Sequence, residues 1–250
     1  GVGASSWGRP PSMRSTSAGR GLYYSLFSRF FVFSQGADRF SGVNAMLGLA
    51  SAHALNEESA AAIMRIQAKF DEKNPQNLAD EFDEIFHALP SPLRNSLSYY
   101  DEGYEVGHAC AKVRKILART DLRRDEAKFK ENEDNVGFVF ALMSEFIARE
   151  SELELYGELE DQLFKEIINP NIDEFIESLF NHESSEIYKD VAVLLQGFIE
   201  FERVVLNAPR PINQGESKKT LDGVSRSEAI RRQKNRVRKL KAMEEENAKK

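Results

Sequence analysis

Apolar residues recur along most of the chain at three- and four-residue steps, the period of a helix that buries one face. In RGLYYSLFSRFFVF, Leu22, Leu26 and Phe30 fall at i, i+4 and i+8, with Tyr23, Phe27 and Phe31 beside them. NEESAAAIMRIQAKF opens on Asn56 as a cap, followed by two acids where a helix start favours negative charge. NPQNLADEFDEIFHALPSP sets Leu78, Phe82, Ile85, Phe86 and Leu89 on one side and stops at Pro90 and Pro92. DEGYEVGHACAKVRKIL carries a stripe of Val106, Cys110, Val113 and Leu117. Residues 134–156 predict one long helix with Val136, Phe140, Met143 and Ile147 on a face, and two shorter helices divided at Pro170 follow. SSEIYKDVAVLLQGFIEFERVVLN is the most apolar helix, with Ile187, Val191, Leu194, Phe198, Phe201 and Val205 at core spacing. No segment alternates as a strand between hairpin turns. The expected fold is all-α, a single globular helical bundle.

The ends break this pattern. GVGASSWGRPPSMRSTSAG is rich in Gly, Ser and Pro and lacks a starting Met, so residues 1–19, with Trp7, are expected to be a disordered leader or tag. The bundle is expected over 20–207. Residues 208–250 then form a polar linker and a basic, charged tail, helical at most, with Ile230, Val237, Leu240 and Met243 as its only apolar anchors.

Composition supports one core and removes several function classes. A chain of 250 residues with 41% apolar content buries a core without covalent staples. Cys110 is the only cysteine, which excludes an internal disulfide framework and agrees with a cytoplasmic setting. No apolar run approaches the roughly 20 residues of a membrane span. The net charge of −6 is unevenly spread: residues 1–20 carry +3 and 209–250 carry +7, leaving −16 on 21–208. Such a body repels nucleic acid and steers basic peptides toward itself.

Signatures for phosphate loops, dinucleotides, zinc proteases and serine hydrolases are absent, so no catalytic residue and no cofactor is expected. His108 and Cys110 stand two apart on a helix and face different sides. Glu84/His87 and Glu105/His108 repeat a Glu-x-x-His spacing that places carboxylate and imidazole on one helix face. A di-metal carboxylate enzyme is therefore an alternative, and a generic helical adaptor another. The main expectation is no metal.

ENEDNVGFVFALMSEFIARE, residues 131–150, sets Glu133, Asp134 and Asn135 before an apolar helix. As pure helix chemistry, Asn132 caps and the two acids of the first turn each contribute about 0.3–1 kcal/mol through the helix dipole. The same exposed acids suit a basic ligand.

The order of segments resembles the TorD/DmsD/NarJ superfamily of molybdoenzyme chaperones, in its TorD-like branch, across about residues 20–206. RGLYYSLFSRFF is similar to the family's opening helix with its Arg and Tyr; LADEFDEIFHALP matches an aromatic-x-x-Leu-Phe segment through Phe82, Ile85 and Phe86. Ser96, Tyr99 and Gly103 fit a following loop and helix start. Glu133-Asp134 stand where the family has acid and Asp-His, with Asn135 in place of the His. Gln162, Phe164 and Pro170 resemble a later segment that lacks its usual Trp here, and Tyr188, Phe198 and Glu202 fit the last core helix. The resemblance implies a non-enzymatic cytoplasmic chaperone, a monomer or homodimer. It would bind the twin-arginine signal peptide, the apo form, or both, of a molybdenum-cofactor oxidoreductase subunit, and hold it for cofactor insertion. Formate dehydrogenase is the preferred client. Glu133, Asp134 and Asn135 would then receive the basic residues, and Tyr99, Tyr100 and Phe86 would line the apolar side.

Overall fold

A computed structural model describes residues 16–103, 105–211 and 226–249, with side chains over most of them. Trp7 and most of the expected leader lie outside the described residues, as does the linker over 212–225.

The described chain is helical, and no strand occurs among the described residues; a single isolated bridge joins Ser96 and Asn135. In order the helices are α1 (Thr16–Phe31), α2 (Val43–Ala52), α3 (Glu57–Lys69), α4 (Gln76–Phe86), α5 (Leu97–Glu102), α6 (His108–Ala118), α7 (Val136–Arg149), α8 (Glu154–Leu163), α9 (Asn169–Asn181), α10 (Ile187–Val205) and α11 (Arg226–Ala248). The first helix starts at Thr16, within the stretch expected to be a leader.

Three helix pairings organise the bundle. α1 lies along α7, where Gly137 permits the close approach: a Cβ there would stand 2.6 Å from the Val32 nitrogen. The hydroxyls of Ser25 and Ser144 meet at 2.6 Å across the same seam. α10 packs on α3 and α9, and its Val191, Leu194 and Phe198 are fully buried, as their spacing predicts. Rings from α1, α7 and α10, namely Tyr24, Phe27, Phe140 and Phe198, meet at tilted and edge-on angles at the centre. Burial of each such ring stabilises by roughly 1.5–3 kcal/mol.

Two sequence expectations need correction. The helix expected over 134–156 ends at Arg149, and a turn at 150–153 separates it from α8. Pro170 does not break the helical path: α8 runs through one π turn, Phe164–Ile168, directly into α9, of which the proline is the second residue.

Candidate functional site

The stretch around residue 134 forms a buried corner joining three helix starts. Asp134 is 1% exposed. Its Oδ2 accepts from the Ser96 hydroxyl at 2.6 Å and from the Ser98 N–H at 3.1 Å. Ser98 belongs to the first turn of α5, whose own cap residue Ser96 makes no side-chain cap bond. The Asp134 carboxylate thus caps α5 from another segment, satisfying an N–H that the helix leaves free and meeting the positive end of its dipole. The Ser98 hydroxyl in turn accepts from the Cys110 N–H of α6 at 3.1 Å. Backbone bonds Leu97 N–H to Asp134 O (3.0 Å) and Val136 N–H to Asn95 O (2.9 Å) close the corner.

This geometry corrects the capping assignment. Asn135, not Asn132, caps α7, accepting from the Phe138 N–H at 3.2 Å. Glu133 and Asp134 precede the helix, and Asp134 is enclosed where exposure was expected. Only Glu133 of the two acids reaches the surface region. Its carboxylate takes Arg114 Nε at 2.8 Å and Arg124 Nε at 3.5 Å. Burial alone would raise its pKa, yet its own backbone N–H and the guanidinium groups of Arg114 and Arg124 hold it below the usual carboxylate value. Burial and the nearby Asp134 push the Cys110 thiol up to about 11, so it is no nucleophile at neutral pH.

The aromatic candidates come together as a row. Phe86 faces Phe175 at 6.5 Å between centroids, Phe175 meets Tyr100 edge-on at 5.9 Å, and Tyr100 meets Tyr99 at 5.2 Å. Phe86 and Tyr99 are buried and Tyr100 is half-buried, its hydroxyl donating to the Arg94 carbonyl at 2.7 Å. Arg94 lies over the Tyr99 ring at 5.5 Å. This row sits at the α4–α5–α9 end of the bundle. The charged helix α11 also touches α5, while its described side chains from residue 236 onward are exposed.

The paired Glu-x-x-His reading is corrected by local structure. His87 is the C-cap of α4 and bonds Asp83 at 2.8 Å. Glu105 lies before α6 rather than on it, paired with Arg94 at 3.3 Å, and His108 turns to Glu102 at 3.2 Å. Both histidines are thus engaged by other acids, and no group of three His, Cys, Asp or Glu residues suited to a metal occurs among the described residues.

Sequence reasoning overlooked one polar network. Arg20 of α1 is buried and donates through Nε to Glu202 at 2.6 Å, Nη2 to Glu202 at 3.1 Å and Nη1 to Glu160 at 2.9 Å. The Tyr24 hydroxyl donates to the same Glu202 carboxylate at 2.7 Å. Burial opposes the Arg20 charge, but the hydrogen bond and charge of Glu202 outweigh it and raise its pKa. Glu160 is pushed up to about 8 by burial and by Glu150, so it stands protonated at neutral pH and the Arg20 charge is balanced by Glu202. The missed signal was spacing: Glu202 follows Phe198 by four residues and Tyr24 follows Arg20 by four, so charges occupy core-facing positions.

A family model described as nitrate reductase delta subunit matches residues 52–177, half the chain. No curated protein and no solved structure matches well enough to add to it. The matched range holds Phe86, Tyr99, Tyr100 and Glu133 to Asn135 together.

Proposed function

Because the chain belongs to the nitrate reductase delta subunit family, a family of non-enzymatic chaperones for molybdoenzyme maturation, we propose that its client site is the corner built by α5, α6 and the start of α7. In this reading the protein binds the twin-arginine signal peptide, or the apo body, of a molybdenum-cofactor oxidoreductase subunit in the cytoplasm and holds it for cofactor insertion. The family match over 52–177, which contains every candidate residue, carries the proposal. Glu133 supplies the carboxylate for a client guanidinium, and Asp134 and Asn135 fix the backbone that presents it. Tyr100, with the edges of Tyr99 and Phe86, supports an apolar segment beside it. A body charged −16 between residues 21 and 208 favours approach of a paired-arginine peptide over an acidic one.

Formate dehydrogenase is the preferred client, and a panel of signal peptides tests it directly. Calorimetric titration should give binding to twin-arginine peptides of molybdoenzymes, strongest for the formate enzyme, and at least tenfold weaker binding when both arginines become glutamine. Equal affinity for the glutamine versions would leave a helical adaptor without signal-peptide specificity.

A further inference from the structure

The basic helix α11 does not project from the body: it lies against α5, the helix that Asp134 caps. Between residues 226 and 241 it carries eight Lys and Arg against one Glu. A segment of 14 residues, 212–225, precedes it and can span up to about 45–50 Å, so the tether leaves other faces of the bundle within reach. The placement on α5 therefore calls for an attraction between the two.

Burial of apolar surface is not that attraction. Val237, Leu240 and Met243 remain 47%, 60% and 59% exposed, and among the described side chains of α11 only Asn235 is half-covered. Charge accounts for the contact. α5 and the helix packed on it, α9, hold Asp101, Glu102, Asp173, Glu174 and Glu177 and no Lys or Arg. Tyr100 of α5 meets Phe175 of α9 at 5.9 Å, which brings Glu174 close to α5. Burial first, and the Glu174 charge second, push the Tyr100 phenol above its ordinary value. Opposite charges at a surface attract weakly and are screened by salt, so a helix seated by them is held and readily displaced.

Contact with α5 sets α11 beside the client corner. α11 bears Arg231 and Arg232 in succession, so it and a twin-arginine client offer the same chemistry to adjoining surfaces. We propose that α11 is an internal competitor of the client: it seats on the acid-rich face of α5 and α9 and leaves when a basic client segment enters. The competition rests on the client reading above; the seat does not. A segment on a short tether acts at an effective concentration on the order of 1 mM, so a seat affinity of only about 0.1 mM weakens the client about tenfold.

Three variants of the full chain test this. The first changes each of the eight Lys and Arg of 226–241 to Gln, which retains good helix formers. The second combines Asp101→Asn with Glu174→Gln, and the third joins both sets. Amide hydrogen exchange in α5 reads the seat without any client and should quicken several-fold in the tail variant, where α5 itself is unchanged. Calorimetric titration with a twin-arginine peptide reads the competition, and the tail variant should bind the peptide about five- to tenfold tighter. The Asp101/Glu174 variant should also bind it tighter, although its body has lost two negative charges, and the combined variant no tighter than either set alone. General attraction between a cationic peptide and an acidic chain predicts weaker binding by the Asp101/Glu174 variant, and that result would overturn the competition. Unchanged α5 exchange in the tail variant would overturn the seat; sedimentation of the full chain with phosphatidylglycerol vesicles would then assign α11 to a membrane surface. Binding of the peptide by no chain would overturn the client reading and the competition with it, while the exchange result still decides the seat.

Discussion

The Arg20 network and the Asp134 corner are both buried, both built on carboxylates, and differ in what surrounds them. Around Arg20, three elements far apart in sequence converge, every hydrogen bond to Arg20 is charge-assisted, and Glu202 is fully enclosed. Around Asp134 the partners are a hydroxyl and a backbone N–H, and the acid beside it meets two arginines, of which Arg114 is half-exposed and Arg124 mostly covered. The first arrangement locks α1 against α8 and α10. The second fixes helix starts and holds Glu133, 12% exposed, between two arginines at the edge of the corner.

Removing one partner from each cluster should separate these roles. Glu202→Ala takes from Arg20 two of its hydrogen bonds, leaves Glu160 as its one acid partner in the core and strips the Tyr24 hydroxyl of its acceptor, so a loss of about 3–5 kcal/mol is expected in urea denaturation. A loss under about 1 kcal/mol would mean that Arg20 escapes to solvent and that the network is no lock. Asp134→Ala strands the Ser96 hydroxyl and the Ser98 N–H, two neutral donors, and should cost about 1–3 kcal/mol. Asp134→Asn keeps an acceptor oxygen and should recover part of that loss; if both variants were equally damaged, charge at the α5 start would matter more than the hydrogen bonds.

The two regions were also unequally legible. Apolar spacing was enough to place α1, α4, α7 and α10 and to name most of their buried faces, because a repeating stripe is a local property of the chain; Leu89, set on the α4 face, instead lies past the helix end and is 87% exposed. Polar roles were read poorly for the opposite reason. Glu133 and Asp134 are adjacent acids in one motif, and only the path of residues 95–98, brought alongside by the bridge to Asn135, encloses one and leaves the other near the surface. Asn132 and Asn135 are equally good caps by type, and the turn at 132–135 decides between them. Pro170 read as a break because no local rule foretells a π turn that carries one helix into the next. The resemblance pointed to these residues without showing that Asp134 is buried.

Titration offers a finer contrast. Glu160 binds its proton up to about pH 8 in the folded chain, whereas an unfolded Glu releases it near its ordinary value of 4.5. The folded state therefore holds more protons between these values, and stability from this group is fully present below the lower one and lost as pH rises through the upper. Urea midpoints should fall from about pH 5 to about pH 9, and Glu160→Gln should flatten that fall. Glu133, with its pKa lowered, acts in the opposite sense and loses its contribution as the pH drops through its folded value. If the Glu160→Gln variant kept the original slope, the effect would belong to another group.

The smallest effect on stability should come from the residue placed at the client edge. Glu133 pairs with Arg114, whose side chain is 49% exposed, so Glu133→Gln should change folding stability by no more than about 1 kcal/mol. Its effect on a twin-arginine peptide should be larger in proportion, since the variant removes the carboxylate that Arg114 and Arg124 share where the proposed client guanidinium would sit. Arg114→Gln then tests the same edge from the other side. If the client arginine takes over the Arg114 position on Glu133, deleting that competitor should tighten the peptide several-fold while stability again moves by no more than about 1 kcal/mol. Affinity that fell equally in both variants would show Glu133 and Arg114 acting as one structural pair, and the client's arginines would belong on a different acidic surface of the body.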